Sequence, residues 1–212
     1  MKKMGDDMHQ VTRYYTDDGK LMLKTGEATY RILHDFNDKN VEVVVTKDWD
    51  VGVVNTDGEI IVAFGRYAEI DKFSYEYARV VESNDRCITA KYGIINTKGE
   101  VIIKPVYDYI YDINFFCGLA IVNKAGEYGV VSVDGNVVIE PEYDKIICLD
   151  DGYIRGMKGD QESVLNTAGE VMIRPGIYDK IGSFLGGIAL AQKNDKYYII
   201  NTRGEIIKPS ET

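Results

Sequence analysis

Four glutamates, Glu59, Glu100, Glu170 and Glu205, each directly follow a glycine. Carboxylates at recurring positions are what a glycoside hydrolase sets on either side of a scissile bond, so they are the first candidates for chemistry. With 34 acidic residues in 212, however, some pair falls within ~5–10 Å in any compact fold, and proximity alone carries no information. Their periodicity points instead to a strand-edge role, pairing with nearby Lys or Arg and blunting exposed edges. Zinc requires ligands at close spacing, whereas His9 and His34 lie 25 residues apart and Cys87, Cys117 and Cys148 are 30 or more apart. The serine in "GSFLG" (182–186) is not in a nucleophile elbow. Asp48 and Asp50 lack the rest of a calcium loop, and there is no glycine-rich phosphate motif. The sequence therefore assigns no catalytic residue, no metal ligand and no cofactor.

The elements that carry these residues repeat. Aligned on a turn glycine, the chain reads "VVNTDGEIIV" at Gly58, "IINTKGEVII" at Gly99, "VVSVDGNVVI" at Gly135, "VLNTAGEVMI" at Gly169 and "IINTRGEIIK" at Gly204, with a weaker "YYTDDGKLML" at Gly19. The only four prolines, Pro105, Pro141, Pro175 and Pro209, keep the same spacing. In each copy Asn55, Asn96, Ser132, Asn166 or Asn201 stands first in a four-residue turn and the glycine fourth. A type I turn favours an Asn or Ser side chain that caps backbone N–H groups at its start, and a left-handed glycine closes the hairpin. These residues are hairpin chemistry, not a phosphate cradle.

The flanks are rich in Val, Ile and Tyr without helical spacing, so they are strands. Adjacent apolar pairs such as Ile94–Ile95 and Val137–Val138 imply cover on both faces of a sheet. After the proline comes Tyr-Asp and a third strand (143–149), then a glycine and a fourth (152–158). The segment 67–83 has partial helical spacing, but the repeat register makes Arg79–Val81 a fourth strand after a longer loop. The expected fold is all-β: one repeat domain, 1–212, of tandem four-stranded antiparallel units of about 35 residues. It comprises a degenerate repeat at 8–48, then repeats at about 49–90, 91–126, 127–160, 161–195 and 196–209. Units of this kind cover one another's faces, which gives a propeller-like ring of five to six blades or, alternatively, an open stacked array. A split blade sharing 8–23 and 197–209 would close the ring.

With Tyr92-Gly93, Tyr128-Gly129, the Asn-x-x-Gly-Glu turn and Pro-x-Tyr-Asp in hand, residues 50–209 resemble the bacterial WG-repeat family. Its repeats read Trp-Gly-Phe/Ile-Ile-Asn-x-x-Gly, then apolar residues, Pro and Tyr-Asp. Here Tyr replaces Trp twice, and the other copies read Val51-Gly52, Glu162-Ser163 and Tyr197-Tyr198; Trp49 stands two residues off register. The resemblance implies a scaffold that mediates binding and brings no catalytic residues.

Binding is also where the aromatic content leads. Sixteen tyrosines offer contact area at little entropic cost. Tyr92, Tyr128, Tyr197, Tyr107, Tyr143 and Tyr178 occupy register positions and are expected to pack. Phe73, Tyr75, Tyr77, Tyr109, Tyr111, Phe115 and Phe116 fall in the long loops of two successive repeats and are the candidate partner-binding residues. A net charge of −9 disfavours nucleic acid and anionic membrane and suits a basic protein partner, as in an inhibitor or immunity-type role. A glycan-binding propeller is the alternative, and a hydrolase with carboxylates in a central funnel the second. An odd number of widely spaced cysteines favours a reducing compartment, and the start "MKKMGDDMHQ" has no apolar run, so the expected location is cytoplasmic.

Overall fold

In the computed structural model the described residues are 12–25, 28–34, 41–45, 49–55, 57–83, 90–111, 118–148 and 152–207. Every regular element among them is a strand. Six strands form the first sheet in chain order: β1 (Thr12–Tyr15), β2 (Leu21–Thr25), β3 (Ala28–His34), β4 (Val41–Val45), β5 (Val51–Asn55) and β6 (Ile60–Val62). Three further meanders follow. They are β7 (Glu69–Ile70), β8 (Tyr77–Ser83), β9 (Ala90–Asn96) and β10 (Val101–Tyr107); β11 (Tyr109–Ile110), β12 (Leu119–Lys124), β13 (Glu127–Ser132) and β14 (Val137–Tyr143); and β15 (Lys145–Cys148), β16 (Tyr153–Lys158), β17 (Gln161–Asn166) and β18 (Val171–Ile173). The last sheet holds β19 (Lys180–Ile181), β20 (Ile188–Lys193) and β21 (Lys196–Asn201), extended by a bridge from Ile200 to Ile206. The chain divides into two compact units, Met1–Val106 and Tyr107–Thr212. Tandem four-stranded antiparallel sheets are what both the propeller-like ring and the open array require.

The sheets do not begin where the sequence phrases begin. Each of the sheets after the first is built from the third and fourth strands of one phrase and the start of the next, so the boundary at 126/127 falls inside the β12–β13 hairpin. The phrase is most legible around its Asn-x-x-Gly turn, and that turn joins the last two strands of a sheet. The N-terminal segment also departs from expectation, since β1–β4 share one six-stranded sheet with β5 and β6. The described part of 8–23 pairs within that sheet, and the described part of 196–209 within the last one. In 67–83 the register prevails over the helical spacing: Tyr77–Ser83 is a strand.

The turns follow the expected chemistry. In the Asn96 turn, Asn96 Oδ1 accepts from the N–H groups of Lys98 and Glu100, both at 3.0 Å, and Gly99 N–H donates to Asn96 O at 2.9 Å with φ +76°. The turns at Asn55, Asn166 and Asn201 repeat this geometry. At Ser132 the backbone bonds are kept, and the side-chain Oγ accepts a longer bond from Asn136 N at 3.3 Å.

Within each unit the faces of successive sheets are buried against one another. Val51, Val53 and Val62 pack with Tyr67, Ile70, Phe73, Ala78, Val80 and Ile95. Leu119, Val130 and Ile139 pack with Tyr143, Ile146, Ile154 and Leu165. Val164 and Ile173 pack with Tyr178, Ile181, Phe184 and Ile200. The adjacent pairs Ile94–Ile95 and Val130–Val131 are fully buried, as cover on both faces demands. Val137–Val138 is different: Val137 is 46% exposed, because the second strand of the phrase is the outer strand of its sheet. That strand also explains the Tyr-Gly pair. A Cβ on Gly93 would lie 2.6 Å from Ile103 O and 2.9 Å from Pro105 N, and one on Gly129 would lie 2.6 Å from Ile139 O and 2.7 Å from Pro141 N. Where Ser163 replaces the glycine, β18 stops at Ile173, before Pro175.

Candidate functional site

The residues that hold the loops in place explain most of the carboxylates. Among the described residues Glu59, Glu100, Glu170 and Glu205 show no pairing with Lys or Arg across an edge, the role their periodicity had suggested. Each accepts from the Nδ2 of the Asn that opens its own turn, at 2.6–2.8 Å. The Asp of Tyr-Asp has an equally local role. Asp108, Asp144 and Asp179 accept from the N–H of Ala125, Gly159 and Asn194 at 2.6–2.7 Å. Those three residues open the tight turn after the fourth strand, and all have positive φ, between +50° and +56°. The unlike loops "AGE" and "GDQ" thus share one geometry, fixed by the carboxylate that stands just before the third strand of the phrase. Among the described residues no group of three or more His, Cys, Asp or Glu is placed to hold a metal ion.

The expected packing tyrosines divide. Tyr107, Tyr143 and Tyr178 are buried, and the Tyr178 hydroxyl donates to Gly204 O at 2.7 Å. Burial pushes the Tyr107 and Tyr178 phenols above their ordinary pKa. Tyr92 and Tyr128 are half-buried. Tyr197 is exposed, contrary to expectation, because the face of the last sheet that carries it is uncovered.

The candidate partner-binding residues divide as well. Phe73 is a core residue, 2% exposed, and not a loop contact. The chain turns back immediately after it, Ser74 and Tyr77 exchanging backbone hydrogen bonds at 2.9 and 3.1 Å. This sends Phe73 inward, as Phe184 is sent inward at the matching turn between Leu185 and Ile188. Tyr75 stands exposed at the tip with φ +57°, where the matching residue, Gly186, has φ +59°. Positive φ is unusual for an aromatic residue. Tyr77 is half-buried in β8. Phe115 and Phe116 lie outside the described residues.

Tyr109 and Tyr111 do come together, with a third ring the sequence reading had assigned to packing. The Tyr109 and Tyr111 centroids lie 4.8 Å apart, edge to face, and Tyr111 and Tyr128 lie 5.9 Å apart with their hydroxyls at 3.3 Å. The Tyr128 hydroxyl holds the Tyr111 phenol above its ordinary pKa. Cross-strand register makes this row: Tyr109 pairs with Asn123, and Asn123 with Tyr128. Tyr109 and Tyr111 remain 38% and 39% exposed. The alternation of the strands was the signal for Tyr128, legible once the β12–β13 hairpin is in register.

Other sheets fill the corresponding positions differently. In the second sheet Asp71 lies 2.7 Å from Arg79 Nε, and the guanidinium sits 5.7 Å from the Tyr92 centroid. In the fourth, Arg155 Nε lies 2.5 Å from Glu162 Oε1 within the protein, and Glu162 Oε2 accepts from Ile181 N at 3.0 Å. Glu162 stands where three of the other phrases have Tyr and one has Val51.

Fold and site together define a tandem β-repeat protein in which a constant frame of turns presents a different set of side chains in each sheet. The chain belongs to the WG containing repeat family, whose sequence model matches it at residues 52–85, 92–128, 128–160 and 164–197. It is similar to several solved structures. These include the computationally designed Ika8 protein (14% identity over 92% of this chain and 70% of that one, TM-score 0.38). Hsv2 of Kluyveromyces lactis (10%, 96% and 79%, TM-score 0.37) and a eukaryotic initiation factor (14%, 95% and 63%, TM-score 0.43) are two more. No curated protein matches the chain.

Proposed function

We propose that the protein is a non-enzymatic scaffold that binds a basic protein partner in the cytoplasm through the exposed tyrosines of the third sheet. The observation that carries this reading is the Tyr109–Tyr111–Tyr128 row. It is held by strand register, half exposed, and has hydroxyls that orient one another. Rigid, partly exposed tyrosines with polar tips are favoured contact residues at protein interfaces. Among the described residues of the four later sheets the row occurs once. At the place of Tyr109 the other sheets have Glu69, Lys145 and Lys180, and at that of Tyr111 they have Asp71, Ile147 and Gly182. A single aromatic surface favours one partner over the equivalent pockets, one per repeat, that a glycan-binding propeller presents. The periodic carboxylates accept hydrogen bonds within their own turns and hairpins, which supports a structural role for them over a hydrolytic one. The net charge of −9 supports the choice of a basic partner.

The test is affinity capture from host lysate with the wild type and with Tyr109→Ala/Tyr111→Ala, followed by mass spectrometry at low and moderate salt. The expected result is one basic protein enriched by the wild type and lost with the double variant. A partner captured equally by both overturns the site.

A further inference from the structure

In the second unit each sheet has one face that the next sheet covers. On β12–β13 that face carries Leu119, Ile121, Tyr128 and Val130, packed against Ile146, Ile154 and Leu165. On β16–β17 it carries Tyr153 and Val164, packed against Tyr178, Ile181, Phe184, Ala189 and Ala191. The same register on β20–β21 places Ile188, Leu190, Tyr197 and Ile199 on one face, with Leu190 directly opposite Ile199. These four are 45%, 54%, 66% and 52% exposed, and Leu185, bridged to Ile188, is 79% exposed. The polar residues in the two rows are Gln192 and Asn201, and the adjoining strand β19 adds an exposed Lys180 opposite Gln192.

We infer that this uncovered face of the terminal sheet is where a second copy of the chain docks, face against like face, to form a twofold dimer. Three observations select that occupant. The five side chains expose on the order of 500 Å² of apolar surface per copy, so a pair buries roughly 1,000 Å², the lower bound for a specific interface. A predominantly apolar face of this kind, with its charge confined to Lys180 on the short strand β19, marks homodimer interfaces. Stacking head to tail would need an open inner face on another sheet. Among the described residues of the first sheet, Leu23, Ile32 and Val54 are already buried in a cluster of their own with Leu21, Tyr30 and Phe64. Like-with-like pairing closes after two copies.

The test is sedimentation of the full chain across the micromolar range, for the wild type and for Leu190→Lys/Ile199→Lys. Both positions are half exposed, and circular dichroism melting confirms that the variant folds. A third sample, Tyr109→Ala/Tyr111→Ala, controls for the surface proposed above. The expected result is a concentration-dependent dimer for the wild type and the tyrosine variant, and a monomer for the lysine variant. As a check that needs no substitution, amide exchange in 188–199 of the wild type slows as its concentration rises. A wild type that stays monomeric, a dimer that survives both lysines, an open polymer, or loss of the dimer in the tyrosine variant overturns the inference.

Discussion

At Gly169 a missing Cβ answers two separate requirements. The residue has φ +82°, and a Cβ there would lie 2.3 Å from Val138 O, in the preceding sheet. Gly19, in the degenerate copy of the same turn, has φ +78° and nothing within 4 Å. The pair separates local strain from close approach. Gly19→Ala is expected to cost only the left-handed backbone term of about 1–2 kcal/mol. Gly169→Ala adds an overpacking cost, for a total of about 3 kcal/mol or more. Urea denaturation of the two variants checks the difference, and equal losses would remove the packing role. The degenerate turn also carries its own titration signature. Lys20 and Thr16 both donate to the Asp18 carboxylate at 2.5 Å and lower its pKa from 3.8 to about 2. A carboxylate depressed by folding adds stability above its unfolded value and loses it as pH falls through the folded one. Carbon-detected NMR titration is expected to place the Asp18 midpoint near 2, and Thr16→Val/Lys20→Met to return it to the ordinary range.

Between elements, Glu162 joins two strands of different sheets. Its carboxylate meets Arg155 on β16 and the Ile181 N–H on β19, and both charged side chains are mostly buried, 18% and 9% exposed. Removing one member of a buried ion pair leaves the other charge uncompensated, a loss of about 3–5 kcal/mol. Glu162→Gln keeps the acceptor for Ile181 and the side-chain volume but not the charge, so a loss of about 3 kcal/mol is expected in chemical denaturation. Arg155→Met/Glu162→Gln should recover most of it, and a single variant as stable as the wild type would contradict the pairing. Features of this kind mark the limit of what was legible in the sequence. The turn residues and the buried tyrosines could be read because each has a cause within a few positions, a left-handed glycine or an apolar residue at a fixed offset. Phe73 was misread as a loop contact because its cause is a backward turn, visible in sequence only by aligning Ile70-Asp-Lys-Phe73 with Ile181-Gly-Ser-Phe184. Glu162 broke the repeat pattern visibly, but its partners lie on another strand and another sheet. The sheet boundaries were displaced for a related reason: the clearest phrase surrounds a turn, and a turn does not reveal which hairpin opens a sheet.

Across the whole molecule, 34 acidic against 25 basic residues leave a net charge of −9, while the tyrosine row is confined to one sheet. The two features should act on different rate constants. A field of one sign speeds the approach of an oppositely charged partner, and salt shortens its reach from a Debye length of about 10 Å at 0.1 M to about 3 Å at 1 M. Aromatic contacts, once desolvated, set how long the complex lasts. With the basic partner recovered by affinity capture, raising salt from about 0.05 M to about 0.5 M is expected to slow association about tenfold or more while dissociation changes by less than about twofold. Tyr111→Ala should do the reverse, speeding dissociation and leaving association and its salt slope unchanged. Biolayer interferometry on the wild type and this variant measures all four quantities. An association rate independent of salt would remove charge from the account and leave the tyrosine row to explain partner choice alone. A Tyr111→Ala complex that dissociates as slowly as the wild type would instead place the contact surface elsewhere in the repeat array.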